Sequence, residues 1–416
     1  MKRAAVLLLW LAGALAPGRA AEDFIDRLDE ALTTSAFEGQ FRARLSGTLD
    51  LEGYAFSSPP PGLIVASGNS LFNPRLTLFL DVQLGGSFYF FLQSRVDRGF
   101  DPTNGGLEGR LDEYALRFTP WADGRLNIQV GKFATIVGNW VHRHGSWDNP
   151  FVTAPLPYEN LTGIWDVAAV RSAATLLRWA HVRPKSFPGG QFADNHFRLP
   201  IVWGPDYATG AAVSGELGKF NYAAEVKNGS LSSRPDYWDT DEVRWTHPTY
   251  SGRLGYRPDE RWSFGLSASG GSYLLPEASP TLAPGRDAGD YREVVIAQDA
   301  AYAWHHWQVW AEVYETRFEI PTVGDVTTTA WYLETKYKFT PQFSGAVRWN
   351  QQVFGTIADP VGVQGPWGYD TWRIDVAPSY RLTPHAQLKL QYSLQPEHLG
   401  LRSYDHLVAA QLTVRF

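Results

Sequence analysis

The chain has 416 residues, 44% of them hydrophobic and 19% charged, which excludes both an acidic disordered chain and a helical membrane protein. Cysteine is absent, so disulfides, cysteine metal sites, covalent haem attachment and cysteine nucleophiles are excluded as well. The formal net charge of −6 argues against nucleic acid as a partner.

The first twenty residues have the features of a secretory signal peptide. Lys2 and Arg3 precede an apolar run at 4–16, and residues 17–20 supply small side chains before a predicted cleavage after Ala20. The apolar run is too short to span a membrane as a helix. We therefore expect residues 1–20 to be removed and the mature chain to be exported.

Residues 21–37 are predicted to form an N-terminal periplasmic helical segment. Within 22–34, Ile25, Leu28 and Leu32 recur at helical spacing and acidic residues occupy much of the remaining surface. Two roles stay open for this helix, a periplasmic cap or plug and a docking helix for a periplasmic partner.

From residue 38 onward, apolar and polar residues alternate in segments of about ten residues, which is the period of a β-strand. In the last segment, Val408, Ala410, Leu412, Val414 and Phe416 share one face, and polar residues occupy much of the other. Sixteen strands are predicted, at 41–56, 74–84, 87–97, 110–119, 124–134, 210–217, 220–229, 249–257, 262–274, 291–304, 307–318, 328–339, 343–354, 369–382, 385–395 and 405–416.

The links between these strands alternate strictly between short and long. The tight links lie near 85–86, 120–124, 218–219, 258–260, 305–306, 341–342 and 384–385. The longer polar links lie at 57–73, 98–109, 135–209, 230–248, 275–290, 319–327, 355–368 and 396–404. Such alternation is typical of outer-membrane barrels, which have short periplasmic turns and long external loops.

These patterns together predict an all-β fold, a transmembrane antiparallel β-barrel over 38–416. Every backbone polar group must be paired in hydrocarbon, so a chain without spanning helices crosses a membrane as a closed barrel. The strand number is 16, or 18 if loop 135–209 hides a further hairpin. Aromatic residues near the tight turns fit a girdle at the lipid headgroups. They include Trp121, Trp262, Trp307, Tyr337, Phe339, Phe343 and Tyr380.

The terminal strand Leu412–Phe416, together with the signal peptide and the sixteen alternating segments, resembles a bacterial outer-membrane porin of the sixteen-stranded type. The resemblance implies a location in the Gram-negative outer membrane, contact with its lipids, recognition of Phe416 by the barrel-assembly machinery, and a homotrimer. Residues 130–138 are similar to a Gly-Lys-Phe segment of the phosphate- and polyphosphate-selective porins. The chain lacks a dense series of arginines, so phosphate selectivity is not implied.

Loop 135–209 is the predicted constriction of the lumen, because it is far longer than an ordinary connection. Residues 167–182 are rich enough in alanine and leucine to form a helix inside the barrel. An external cover over the mouth is the alternative. The basic candidates in this loop are Arg143, Arg171, Arg178, Arg183, Lys185 and Arg198.

The parity of the strands predicts which charges face the lumen, since an arginine or lysine facing lipid at the midplane costs roughly 2–4 kcal/mol. The basic inward candidates are Arg42, Arg44, Arg75, Arg95, Arg117, Lys336, Lys338, Arg348, Arg373, Arg381, Lys389 and Arg415. The acidic ones are Asp50, Glu52, Asp81, Glu113, Glu312, Glu334 and Asp375. The excess of cations predicts a slight anion preference, unless the charges pair across strands and brace the wall.

The sequence therefore predicts a porin for passive or weakly selective diffusion of small hydrophilic solutes or ions. The alternative is a scaffold or sheath barrel that holds an electron-transfer or secretion component. Motifs of hydrolases, metalloproteases and phosphate-binding loops are absent, so no enzyme activity and no cofactor are expected. His142 and His144 beside Asp148 share the spacing of metal ligands on an extended segment, but solvated histidines without a metal are expected.

Overall fold

The computed structural model describes residues 19–57, 69–97, 107–180, 198–238, 245–396 and 404–416. Two helices are described, α1 at Arg19–Ala31 and α2 at Ala173–Ala180. The strands are β1 Thr33–Ala36, β2 Phe41–Phe56, β3 Ser70–Leu84, β4 Phe88–Asp97, β5 Glu108–Phe118, β6 Asn127–Lys132, β7 Thr209–Leu217, β8 Phe220–Lys227, β9 Thr249–Tyr256, β10 Trp262–Ser272, β11 Arg292–Trp304, β12 Trp307–Ile320, β13 Gly324–Lys338, β14 Phe343–Phe354, β15 Thr356–Ala358, β16 Gln364–Pro366, β17 Thr371–Arg381, β18 Ala386–Pro396 and β19 Tyr404–Arg415.

Strands β2–β14 and β17–β19 form a closed, antiparallel sixteen-stranded barrel. The barrel closes where β19 pairs with β2, for example Leu412 with Leu51. The predicted fold and strand number are confirmed, and the described parts of the long loop add no barrel strand. Strands β15 and β16 form a separate hairpin. Among the described residues, no helix has both the length and the apolar character needed to cross a membrane.

One predicted long link is wrong. The loop expected at 319–327 is a tight turn, because β12 continues to Ile320 and β13 begins at Gly324. The reason is that this end of the sheet carries its charges on the outside: Arg317 and Asp325 form an exposed ion pair at 2.8 Å while Phe318 points inward and is buried. The other links follow the predicted alternation. The end of the barrel with the tight links is called the turn end below, and the opposite end the loop end.

The barrel wall separates an apolar outer face from a polar interior. On β2, Asp50 and Glu52 are buried inside, whereas their neighbour Leu49 is 40% exposed on the outside. Exposed aliphatic residues continue this outer belt around the wall, as at Leu116, Val130, Val213, Leu254, Leu266, Leu333, Val347, Leu390 and Val408. Aromatic rings flank the belt, and the Phe339 and Phe343 rings stack with their centroids 5.2 Å apart at the turn end.

The N-terminal segment lies at the turn end. Helix α1 occupies Arg19–Ala31, somewhat earlier than the predicted 22–34, and β1 pairs with the start of β2. Asp29 of α1 accepts a hydrogen bond from Arg44 at 2.9 Å, and Asp26 lies 2.9 Å from His385 in the turn between β17 and β18. Residues 1–18, which hold most of the predicted signal peptide, lie outside the described residues.

Candidate functional site

Residues 133–208, here called the inward loop, connect β6 to β7, and their described parts at 133–180 and 198–208 fold into the lumen. The clearest anchor is Lys389 on β18, whose ammonium group donates to the carbonyls of Ser146, Asn149 and Phe151 at 2.5, 2.9 and 3.4 Å. Lys389 is fully buried. An inward lysine of the wall therefore binds the backbone of the loop, and its charge is covered by carbonyl dipoles.

A second anchor is Glu312 on β12, four strands along the wall from β18. Its carboxylate accepts hydrogen bonds from the backbone N–H groups of Asn139 and Trp140 and, at 2.5 Å, from the Tyr158 hydroxyl. All three donors belong to the inward loop. The sequence pattern marked Glu312 as an inward acid, but it gave no signal that Tyr158 and Trp140 would meet it.

A buried network of ion pairs joins the inward loop to β13, β14 and β17. Arg373 binds both Glu159 of the loop and Asp375 of its own strand. Arg348 binds Asp375 at 2.9 Å and also donates to the Thr153 and Ala154 carbonyls of the loop. Both arginines therefore hold the loop against the wall through carboxylates and carbonyls, and Arg348 also contacts the Thr153 hydroxyl and the Phe151 ring.

Arg143, on the inward loop, joins the same region through Glu334 on β13. Its guanidinium donates to the Glu334 carboxylate at 2.5 Å and to the Tyr332 hydroxyl at 3.0 Å. The Trp310 ring lies 4.3 Å from its Cζ atom. Arg143 therefore faces the wall through charge and aromatic contacts.

Apolar side chains also pack between the inward loop and β10–β17. Toward the loop end, Leu176 of α2 and Ile164 pack with Phe318 and Trp367, all four being almost fully buried. Deeper in the barrel, Val137, Trp140, Ile201 and Val202 pack against Tyr314 and Tyr332. This side of the barrel is therefore filled by protein. Within the described part of the predicted helix at 167–182, residues Ala173–Ala180 are helical and lie near the β15–β16 hairpin, and residues 181–182 lie outside the described residues.

A cavity of about 340 Å³ remains between the inward loop and the opposite wall. The wall side is formed by β19, β2, β3 and β4, and the loop side by 140–159. The lining residues are Thr48, Asp50, Glu52, Tyr54, Asn73, Arg75, Thr77, Phe79, Gln93, Arg95, Asp97, Trp140, His144, Gly145, Ser146, Trp147, Asp148, Asn149, Phe151, Val152, Thr153, Ala154, Glu159, Gln411 and Arg415.

The cavity lining carries both signs of charge, with five carboxylates and three guanidinium groups. Arg75 bridges two carboxylates, Asp50 at 3.2 Å and Glu52 at 2.5 Å. The two acids lie two residues apart on β2. Arg95 pairs with Asp112 at 2.8 Å. Arg75 and Arg95 are thus each held by a carboxylate, which fixes this part of the lining in place.

His142 is exposed, whereas His144 lies in this lining, is half-buried and has both ring nitrogens in contact with the protein. Its Nδ1 atom is 2.5 Å from the Val141 carbonyl and its Nε2 atom 2.6 Å from the Tyr207 hydroxyl. The first contact requires Nδ1–H as donor, so Nε2 accepts from Tyr207. Burial lowers the pKa of His144 to about 4, which leaves the ring neutral at pH 7. No group of metal-ligating side chains occurs among the described residues.

The remaining predicted lining residues lie elsewhere. Arg42, Arg171 and Arg178 are exposed, and Arg171 and Arg178 are near the loop end rather than in the cavity. Arg44 is bound by Asp29 of α1, as above. Arg117 donates to Gln129 at 3.0 Å, and Arg198 is buried in the inward loop. Arg183 and Lys185 lie outside the described residues.

Comparisons with known proteins find similarity of fold only. No family model matches the chain, and no curated protein matches it. Salmonella typhi OmpF, solved in complex with daunomycin, is 10% identical with a TM-score of 0.54 over 92% of this chain and 100% of that one. An anion-selective porin from Comamonas acidovorans is 13% identical with a TM-score of 0.52 over 90% and 100%. The channel DcaP of Acinetobacter baumannii is 10% identical with a TM-score of 0.53 over 92% and 100%.

Proposed function

We propose that this chain, which has the fold of bacterial outer-membrane porins, is an outer-membrane channel for small hydrophilic solutes and ions. The observation that carries the proposal is the cavity, lined by charged side chains, that the inward loop leaves open along β19 and β2–β4. An apolar belt around a barrel fits lipid, and a charged lining fits water and polar solutes. With the usual orientation of such barrels, the turn end faces the periplasm.

The charged groups of the lining support passage of small polar solutes. Fixed carboxylates and guanidinium groups, such as Glu52 and Arg75, can replace part of the hydration shell of a charged or polar solute. The loop packs against β10–β17, so passage is confined to the side of the barrel along β19 and β2–β4. A large solute is therefore excluded by size.

The charge preference of the channel is a separate proposal. Two observations favour opposite signs of ion selectivity. The predicted slight anion preference rests on the number of inward cations, but Arg348, Arg373 and Lys389 are buried against the inward loop and do not line the cavity. The cavity itself has more carboxylates than guanidinium groups. We propose weak selectivity, and reversal potentials in a salt gradient give its sign directly.

The test is ion conductance of the purified, folded protein in a planar bilayer. Thr48→Trp adds a bulky ring to the cavity lining and should lower the conductance, because Thr48 faces the cavity. Leu49→Trp, at the next residue, points to the lipid side and should leave the conductance unchanged. A folded protein without conductance would overturn the proposal.

Two further aspects of the predicted function remain proposals. A sheath around a partner protein would need free space inside the barrel, and the inward loop occupies much of that space. A stoichiometric partner on α1 at the turn end is still testable by co-purification.

We also propose a homotrimer, supported by the porin fold and tested by heat-sensitive migration on mild gels.

A further inference from the structure

We propose that the turn end of the cavity is a binding site for small anions with two or more negative charges. The site is formed by Arg381 and Arg415 over the Trp147 ring, together with Lys336 and Lys338 of β13. The inference rests on the proposed channel function and adds to it a ligand class and a sidedness.

Trp147 brings two of these cations together. The Arg415 Cζ atom lies 4.0 Å and the Arg381 Cζ atom 5.3 Å from the centre of the Trp147 ring. The two arginines come from the ends of β17 and β19, and the indole comes from the inward loop. The face of an indole attracts cations, so this ring holds two guanidinium groups near each other despite their mutual repulsion.

Two lysines of β13 extend the positive surface. Lys336 and Lys338 are consecutive inward residues, and Lys336 interacts electrostatically with both Lys338 and Arg381. Arg415 likewise interacts with Arg381 and Arg44. Asp148 is the acid that acts on both Lys336 and Arg415. Among the described residues, none of the four cations forms an ion pair with a carboxylate at salt-bridge distance, unlike Arg75, Arg348 and Arg373.

This cation group adjoins the cavity, because Arg415, Trp147 and Asp148 belong to the cavity lining. Farther in, the lining is rich in carboxylates, including Asp50, Glu52 and Asp97. A multivalent anion that enters from the turn end meets cations first and carboxylates beyond them. It should therefore bind at the mouth and obstruct the passage, whereas entry from the loop end is opposed by the carboxylates.

The test uses citrate as the probe in single-channel recordings at 0.1 M salt. Because the chain has no cysteine, Val361→Cys gives one label site, and Val361 is 84% exposed at the loop end. Streptavidin on that biotinylated cysteine identifies the side. Citrate added at the turn end should block at a concentration at least about tenfold lower than citrate added at the loop end. The block should weaken at 1 M salt, where the Debye length falls to about 3 Å.

Two charge-removing double variants test whether the citrate block depends on this site or on the overall charge of the protein. The double variant Arg381→Gln and Arg415→Gln should raise the blocking concentration from the turn end by at least about tenfold. The matched double variant Arg125→Gln and Arg261→Gln removes two exposed cations from other tight turns and should leave the block unchanged. Arg381→Lys with Arg415→Lys keeps the charge and should keep most of the block, which controls for folding.

Equal block from both sides, or block that survives Arg381→Gln with Arg415→Gln, would overturn the inference. Calorimetric titration of citrate into the detergent-solubilised protein distinguishes this failure from failure of the channel proposal. Citrate binding that is lost in the double variant, in a protein without conductance, supports the site and contradicts the channel. Conductance without citrate binding contradicts the site alone.

Discussion

Gly47 and Phe416 join the two ends of the barrel chain through a pair of backbone hydrogen bonds, each 3.0 Å long. The Phe416 ring occupies the space beside Gly47, so that a Cβ atom at position 47 would lie 2.6 Å from the ring and 2.9 Å from the Thr77 carbonyl oxygen. The last residue of the chain is thereby held against the first long strand. The lack of a side chain at Gly47 is what makes this closure fit.

Gly47→Ala should weaken the closure of the barrel, because the clash with the Thr77 backbone cannot be relieved by a side-chain rotation. Gly53 lies on the same strand and the same face, and a Cβ atom there meets nothing within 4 Å. We expect Gly47→Ala to lower the temperature at which the barrel unfolds in detergent and Gly53→Ala to change it little. Equal stability of the two variants would show that Phe416 does not pack as described.

Lys389→Met should release part of the inward loop. The variant removes the donor for three loop carbonyls, and a buried hydrogen-bond acceptor left without its partner typically costs about 1–3 kcal/mol. We expect faster proteolytic cleavage near residues 145–151 and larger, noisier single-channel currents. Lys219→Met, at an exposed tight turn, is the control and should behave like the unmodified protein. Unchanged protection of the loop in Lys389→Met would argue against this anchor.

Asp206 should make the inward loop less stable as the pH rises. Burial raises the pKa of Asp206 from 3.8 to about 7, although Lys227 lies nearby. The folded state therefore keeps a proton between pH 4 and pH 7 that the unfolded state releases, and the free energy of unfolding falls over that interval. Asp206→Asn resembles the protonated form and should remove this part of the pH dependence.

The measurement is the unfolding temperature at pH 5 and pH 8. Asp206→Asn should raise the unfolding temperature, relative to that of the unmodified protein, by more at pH 8 than at pH 5. Asp123→Asn changes an exposed carboxylate at a tight turn and serves as the control. If Asp206→Asn loses more stability at pH 8 than at pH 5, the ion pair with Lys227 outweighs the cost of burial and the prediction is wrong.

The barrel was predictable because lipid and lumen impose opposite polarity on successive residues, as at Leu49 and Asp50. That rule fails where a strand leaves the membrane. On β12, Glu315 and Arg317 are exposed on the outside while Phe318 and Ile320 pack on the inward loop, so the polarity is reversed. The sequence pattern therefore predicted a loop where the strands continue.

The course of the inward loop could not be predicted from the pattern. Its length indicated a constriction, but its position depends on contacts such as Lys389 with the Ser146 carbonyl and Glu312 with the Trp140 backbone. Every residue has such backbone groups, so the sequence does not show which of them a side chain will bind. Likewise, parity predicted that Arg75 and Arg348 both face inward, but it could not show that Arg75 lines the cavity and Arg348 is covered by the loop.

The most direct test of the account is whether ions pass along the cavity beside β2. Thr48→Cys places a single thiol in the lining of a chain that has no other cysteine, and Leu49→Cys places one on the outer face. A water-soluble charged thiosulfonate added during single-channel recording should reduce the current of Thr48→Cys in a step and leave that of Leu49→Cys unchanged. An undiminished current in a labelled Thr48→Cys protein would contradict a passage along this wall.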